Sequence, residues 1–204
     1  WEGLGYYRRA RQMRRAAQIV CEQHDGRFPE DFESVLALPG IGRYTAGAVL
    51  SIALDQRTPI LEGNTIRLFS RLLGFHGDPR GSDGQRLLWA FAESILPRKN
   101  VGELNQALME LGSEVCRPTS PHCEVCPLAT LCPTQINKWQ NVIPAKSKPV
   151  SYEEVLEAAV VVRRNGQVLL RRCADGERWA GLWDFPRFGI DGSPSPAQIG
   201  QSVH

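Results

Sequence analysis

Four cysteines lie close together in the sequence and have the residue type and spacing to bind one metal centre. Cys116, Cys123, Cys126 and Cys132 form the pattern C-x6-C-x2-C-x5-C in a stretch rich in proline and polar residues. Four thiolates from one irregular loop suit a tetrahedral zinc ion or a [4Fe-4S] cluster, because both need four soft anionic donors. Structural zinc usually uses two short C-x2-C pairs, and only Cys123 and Cys126 form such a pair. The uneven spacing therefore favours the [4Fe-4S] cluster.

Two disulfide bridges are an alternative use of the four cysteines. Such frameworks are typical of small secreted domains, whereas this chain has 204 residues and no visible signal peptide or apolar membrane-spanning segment. Cys21 and Cys173 would also remain unpaired in distant regions. We therefore expect reduced thiols, a location in the cytoplasm, nucleoid or nucleus, and no membrane partner.

Length and charge limit the classes of protein to consider. The length allows one full domain and part of another, and a hydrophobic content of 42% is ordinary for a globular protein. The net charge of +2 is too small to indicate nucleic-acid binding by itself. Any evidence for such a partner has to come from local clusters of basic residues.

The first helix that could position functional residues is strongly basic. Apolar residues recur at spacings of three and four between Tyr6 and Cys21, which predicts a helix over this range. Its other faces carry five arginines, namely Arg8, Arg9, Arg11, Arg14 and Arg15. A basic run of this kind is typical of a solvated helix face unless the partner is nucleic acid.

A tight glycine turn follows between two predicted helices. A short helix from Asp31 to Ala37 leads into the turn Leu38–Gly42, and a second helix with several small residues runs from Tyr44 to Leu54. This is the pattern of a helix-hairpin-helix. Backbone N–H groups at such a turn can bind a phosphate without reading a base. The glycines could equally serve only to allow positive φ.

The remaining segments predict a change of structural class along the chain. Further helices are predicted from Asn64 to Leu73 with Asn64 as N-cap, from Asp83 to Leu96, and from Val101 to Glu114. Residues 139–151 are rich in proline, lysine and serine and predict a linker. Two strands are then predicted, Ala158–Arg164 and Gln167–Arg172, around an Asn165-Gly166 hairpin turn.

Four motifs in order resemble one protein family. They are W-E-G-L-G-Y-Y-R-R-A at residues 1–10, L-P-G-I-G-R-Y-T-A-G-A at 38–48, P-I-L-E-G-N-T-I-R at 59–67, and the cysteine pattern. Together they resemble the MutY family of adenine DNA glycosylases, within the helix-hairpin-helix base-excision repair superfamily. The resemblance implies a mainly α fold: a helix-hairpin-helix glycosylase domain over 1–135, with its iron-sulfur loop at 116–132. A linker over 136–154 and the start of an α+β Nudix-like domain over 155–204 would follow.

The resemblance also implies a reaction and a partner. The family hydrolyses the N-glycosidic bond of adenine mispaired with 8-oxoguanine or guanine, so double-stranded DNA with such mispairs is the expected partner, bound by a monomer. The adenine must be flipped out of the duplex. The family uses a glutamate as acid on an early helix, which we expect to precede Trp1, and an aspartate beside the sugar. Glu62 occupies the aspartate's position, a departure that adds one methylene.

Further residues match the family's motifs. Tyr44 stands where bifunctional relatives carry a lysine nucleophile, and because a phenol cannot form an imine we expect hydrolysis without strand cleavage. Asn64 and Arg67 resemble residues beside the active site, although Asn64 could equally be a helix cap and Arg67 a surface charge. Tyr6 matches a tyrosine that wedges into the duplex. The hairpin residues implied in DNA binding are Leu38, Gly40, Gly42 and Arg43.

Two other functions remain open from the sequence. One is an endonuclease III-like bifunctional glycosylase and lyase, which Tyr44 disfavours. The other is an iron-sulfur protein that binds DNA without catalysis. Because the chain begins at Trp1 and stops after a few strands, we expect the first helices and most of the C-terminal domain to lie outside it.

Overall fold

The computed structural model describes residues 1–145 and 151–190. The chain divides into two compact units, Trp1–Lys148 and Pro149–His204. The division falls inside the segment that the sequence predicts as a linker.

The first unit is helical in the residues described. Its α-helices are α1 (Tyr7–Gln23), α2 (Phe32–Leu36), α3 (Arg43–Leu54), α4 (Gly63–Leu72), α5 (Ser82–Ser94), α6 (Val101–Glu110) and α7 (Pro133–Ile136). A π-helical turn, Leu111–Val115, extends α6, and two 3₁₀ turns, Cys123–Val125 and Ala129–Leu131, lie among the cysteines. The helices predicted from periodicity are present, with ends shifted by a few residues.

Two apolar clusters hold these helices together. The larger one is built around α4 and α5, with Leu68, Phe69 and Leu88 almost fully buried. The rings of Phe69 and Phe91 meet edge to face at 5.3 Å between centroids. The smaller cluster joins α2 to α3 through Val35, Ala46 and Leu50. The hairpin is thus fixed by its own core.

The hairpin turn needs glycine at one position. Gly40 has φ +84°, and a Cβ there would lie 2.9 Å from the Cβ of Gln12 on α1. The turn is closed by the Ile41 N–H, which donates to the Leu38 carbonyl at 3.1 Å. Gly42, the N-cap of α3, has φ −101° and an open surrounding, so it has no such steric requirement.

The start of α4 differs from the prediction. Glu62, rather than Asn64, is the N-cap, and Asn64 lies inside the first turn. The Glu62 Oε1 atom accepts from the N–H groups of Asn64 and Thr65, both at 2.9 Å, and the Thr65 hydroxyl accepts from the Glu62 N–H at 2.8 Å. This capping box satisfies three N–H groups at the helix start. The prediction missed it because glutamate is an uncommon N-cap residue.

The beginning of the predicted linker is packed into the first unit. Trp139 meets the ring of His76 edge to face at 4.7 Å, and Ile143 is 1% exposed. The part of the predicted linker up to Ala145 therefore has a tertiary position.

The second unit contains short antiparallel strand pairs. The strands are β1 (Glu157–Ala159), β2 (Arg163–Arg164), β3 (Gln167–Val168), β4 (Arg171–Arg172), β5 (Trp183–Asp184) and β6 (Arg187–Gly189). They pair as β1 with β6, β2 with β3, and β4 with β5. Asn165 and Gly166 both have positive φ between β2 and β3, which confirms the predicted hairpin turn. Each of the two strands predicted there is divided into shorter pieces.

Candidate active site and metal centre

The four cysteines line one cavity in the first unit. Cys116 follows the π-helical turn, Cys123 and Cys126 bracket a 3₁₀ turn, and Cys132 is the N-cap of α7. The cavity walls are otherwise mostly apolar, with Leu68, Leu72, Val115 and Ala129 among them. All six cysteines of the chain are free thiols, so the disulfide alternative is wrong.

The four cysteines are not recognised as a site for one metal ion. In residues 1–145 and 151–190, no group of three or more histidine, cysteine, aspartate or glutamate side chains is arranged to hold a single metal ion. Burial raises the pKa of the Cys126 thiol, and the charges of the other three cysteines raise it further. Thiolates held together in an apolar cavity need a positively charged centre to compensate them. Four sulfur donors on one cavity fit a centre that accepts thiolate ligands.

Arg71 fastens the cysteine loop to α4. Its guanidinium is buried, with the residue only 3% exposed, and it donates to the Cys116 sulfur at 3.3 Å. It also donates to five backbone carbonyls, those of Cys116, Arg117, Pro118, Gln140 and Ile143. The Arg71 carbonyl accepts from the hydroxyl of Thr134 at 2.7 Å, which ties α7 to the same helix. One buried cation therefore organises several irregular segments around the cavity.

The charge of Glu62 influences the Tyr44 phenol, although 18 positions separate the two residues in the sequence. Tyr44 lies in the first turn of α3 and Glu62 at the N-cap of α4. Burial raises the pKa of the Tyr44 phenol, and the negative charge of Glu62 raises it further. The phenol donates to the sulfur of Met109 on α6 at 3.4 Å. The starts of α3 and α4 thus place a phenol within the electrostatic influence of a carboxylate.

Arg67 connects this region with the cysteine loop. Its Nη2 donates to the Asn64 side-chain oxygen at 2.9 Å and to the Gly112 carbonyl, and its Nε donates to the Cys116 carbonyl at 2.7 Å. Asn64 also packs against Gly112, where an added Cβ would lie 2.9 Å from the Asn64 Cβ. The position of Asn64 therefore depends on contacts that are 45 or more residues away in the chain. The family resemblance indicated Arg67 as a residue beside the active site, but its link to the cysteine loop had no signal in the sequence.

The predicted DNA-binding residues differ in their exposure. Tyr6 has φ 46° in the left-handed region, is 77% exposed and lies 5.1 Å from the Arg9 guanidinium. The Arg43 guanidinium is stacked 3.9 Å from the ring centre of Trp89. Leu38 is 2% exposed, so its side chain belongs to the core and only its backbone is available to a ligand.

These features define a class of protein. A helix-hairpin-helix motif model matches residues 23–52. The structure of a thermostable thymine-DNA glycosylase is similar at a TM-score of 0.57 and 29% identity, over 63% of this chain and 58% of that one. An endonuclease III structure in a non-covalent DNA complex is similar at a TM-score of 0.55 and 25% identity, over 67% and 62% of the two chains. The fold is that of the helix-hairpin-helix DNA glycosylases.

Curated relatives narrow the resemblance. An adenine DNA glycosylase of Buchnera aphidicola is 36% identical over 92% of this chain and 54% of its own length. The human adenine DNA glycosylase is 38% identical over 92% of this chain and 34% of its own length, and that of Schizosaccharomyces pombe 41% identical over 95% and 51%. The predicted resemblance to MutY-type adenine DNA glycosylases is confirmed. The chain spans about half the length of the curated relatives it matches, or less.

No helix in the described residues is long and apolar enough to cross a membrane.

Proposed function

We propose that this chain forms part of an adenine DNA glycosylase that hydrolyses the N-glycosidic bond of adenine mispaired with 8-oxoguanine or guanine. The observation that carries the proposal is the similarity of the chain to an adenine DNA glycosylase over 92% of its length, with Tyr44 in the first turn of α3 within the electrostatic influence of Glu62 at the N-cap of α4. Double-stranded DNA containing the mispair is the proposed partner. The flipped adenine is proposed to enter beside the starts of α3 and α4.

Glu62 is the proposed electrostatic partner of the reacting sugar. When the bond to adenine breaks, positive charge develops on the sugar, and a fixed carboxylate stabilises it. Only Oε1 of Glu62 is engaged as the helix cap in the structure. Oε2 remains available to the sugar.

Tyr44 is proposed to keep the reaction hydrolytic. Its phenol cannot form an imine with the sugar, and its raised pKa keeps it protonated at neutral pH. A neutral phenol near Glu62 can donate a hydrogen bond to the carboxylate or to the attacking water. Strand cleavage through a covalent intermediate is therefore not part of the proposed activity.

The cysteine cavity is proposed to hold a [4Fe-4S] cluster on Cys116, Cys123, Cys126 and Cys132. The four cysteine donors on one cavity of largely apolar surface, and their uneven spacing in the sequence, support this assignment. Bound there, the cluster supplies a rigid cross-link for the loop, and no catalytic step passes through it. The second unit, with its paired strands, is proposed to be the start of a Nudix-like domain that contacts the oxidised guanine.

Single-turnover release of adenine from a labelled duplex with one adenine opposite 8-oxoguanine tests the function in the full-length protein. We expect abasic product without borohydride-trappable protein–DNA complex. Glu62→Asp keeps both the charge and a good N-cap, so adenine release should be preserved or raised. Glu62→Gln keeps the cap acceptor but loses the charge, and release should fall by about 10²- to 10³-fold.

The pair of variants separates catalysis from capping. If Glu62 acts only as a cap, Glu62→Gln will release adenine as fast as the wild-type protein. A large loss in Glu62→Asp would contradict the assignment to the family's aspartate. Trapped covalent complexes would instead support the bifunctional lyase.

A further inference from the structure

Arg43 is stacked on an aromatic ring of another helix. Its guanidinium carbon lies 3.9 Å from the ring centre of Trp89, which stands in the middle of α5. Arg187 in the second unit lies farther from the ring of Trp179, at 4.6 Å. The electron-rich face of an indole attracts a cation at such distances. The ring of Trp89 therefore holds the end of the Arg43 side chain.

The indole of Trp89 is itself supported by the core. It is partly buried and packs against the larger apolar cluster, which contains Leu68, Phe69 and Leu88. A tryptophan side chain has only two rotatable bonds, so it gives a large and rigid surface once it is packed. Trp89 is thus a fixed support for the longer and more flexible side chain of Arg43.

The guanidinium of Arg43 keeps its hydrogen-bond donors for a ligand. Within residues 1–145 and 151–190, Arg43 forms no ion pair and donates no side-chain hydrogen bond, and its ring contact is with Trp89. The residue is also exposed. Stacking engages the face of a guanidinium, whereas its N–H donors lie in its plane. These donors can therefore meet the oxygens of a phosphate, which suit the planar fork of an arginine.

Arg43 lies in the hairpin that the sequence predicts to bind DNA. It is the first residue of α3 and follows Gly42, the N-cap, which provides no side-chain acceptor to the helix. The first backbone N–H groups of a helix attract anions, since they have no partner within the helix. The guanidinium of Arg43 adds a full positive charge to the same turn.

We propose that Trp89 is a positioning residue, which holds the guanidinium of Arg43 ready to bind a phosphate of duplex DNA at the hairpin. This inference rests on the proposed function, since it takes DNA as the partner. A long side chain that loses its rotational freedom on binding lowers affinity by about 2- to 10-fold. The stack restricts Arg43 before DNA arrives, so this loss is avoided. The contact reads no base and acts on any duplex.

A double-mutant cycle on DNA affinity tests the proposal in the full-length protein. Fluorescence anisotropy with a fully paired duplex at one salt concentration gives Kd for wild type, Trp89→Leu, Arg43→Gln and the double variant. We expect Trp89→Leu to weaken binding by about 2- to 10-fold. Arg43→Gln should weaken it at least as much, because the phosphate contact itself is removed. In the Arg43→Gln protein, Trp89→Leu should have no further effect, since no guanidinium remains to be positioned.

Two more variants separate positioning from stability. Trp89→Phe retains an aromatic face, so its Kd should stay within about 2-fold of wild type. The matched control is Phe91→Leu, which also removes a partly buried ring from α5, but a ring that meets Phe69 instead of Arg43. The control should leave Kd unchanged even where urea unfolding shows that it is less stable. Circular dichroism establishes that each variant is folded in the binding assay.

Several results would overturn the proposal. One is an equal loss of affinity from Trp89→Leu in the wild-type and Arg43→Gln proteins, because the ring would then act without the guanidinium. An unchanged Kd in Trp89→Leu or in Arg43→Gln is another, and an equal loss in Phe91→Leu is a third. Adenine release by a protein in which the two residues act independently refutes the positioning role alone. Coupled variants of a protein that releases no adenine refute the proposed glycosylase alone.

Discussion

Replacement of Arg71 by methionine should destabilise the first unit strongly. Methionine has a similar length but donates no hydrogen bond, so five backbone carbonyls and the Cys116 sulfur would lose their donor. A buried acceptor without a partner costs about 1 to 3 kcal/mol. Water can reach some of these carbonyl acceptors, because Arg71 also borders a second, open cleft lined by Pro118 and Gln140. We therefore expect a loss of about 3 to 5 kcal/mol, the range found when a buried charged partner is removed.

Urea unfolding followed by circular dichroism measures this change, and absorbance at about 400 nm follows the proposed cluster in the same samples. A matched control is Arg86→Met, because Arg86 is exposed and pairs only with Asp83 in a surface ion pair. The control should change stability by less than about 0.5 kcal/mol. A loss below about 1 kcal/mol in Arg71→Met, with iron retained, would refute the view that Arg71 organises the loop.

Two further changes test the hairpin and an acidic cap. Gly40→Ala should lower the free energy of unfolding in urea by about 1 to 2 kcal/mol and weaken DNA binding, because φ +84° is strained for alanine and the new Cβ meets Gln12. A variant as stable as the wild-type protein would contradict this geometry. The Asp55 carboxylate accepts from three N–H groups at the start of α6, the Asn100 N–H first among them, and these lower its pKa. Because the folded pKa lies below the unfolded value, this stabilisation is present above about pH 4 and is lost as the pH falls through the folded pKa. Asp55→Asn should therefore unfold with a weaker acid dependence than wild type, and an identical acid profile would count against the cap.

Local sequence patterns predicted the helices well. The periodicity of α1 and the signals for the hairpin and the Asn165-Gly166 turn depend on neighbours a few residues apart, and each prediction agrees with the structure. The end of α6 was not predicted by local patterns. A continuous α-helix to Glu114 was predicted, but the chain changes to a π-helical turn at Leu111. Gly112 lies there against Asn64 of α4, a contact that no local pattern contains.

The sequence predicted the position of some site residues better than that of others. The spacing of the four cysteines predicted a common site, because all four lie within 17 consecutive positions. Glu62 and Tyr44 came from a family resemblance, and their proximity depends on how α3 and α4 pack. The prediction that Asn64 caps α4 was wrong because the Thr65 hydroxyl and the Glu62 carboxylate pair with each other's backbone. Such reciprocal capping depends on side-chain conformation, which residue preference alone does not reveal.

The sequence by itself determined the class of fold, the hairpin, the four-cysteine donor set and the resemblance to adenine DNA glycosylases, because these depend on residue types at short spacings. Only the tertiary structure decided which groups meet: Arg71 with the Cys116 sulfur, Arg67 between Asn64 and the cysteine loop, and Gln12 on Gly40. These contacts join residues up to 49 positions apart. Their distances are set by helix packing around Leu68, Phe69 and Leu88, and packing of that kind is a property of the whole core.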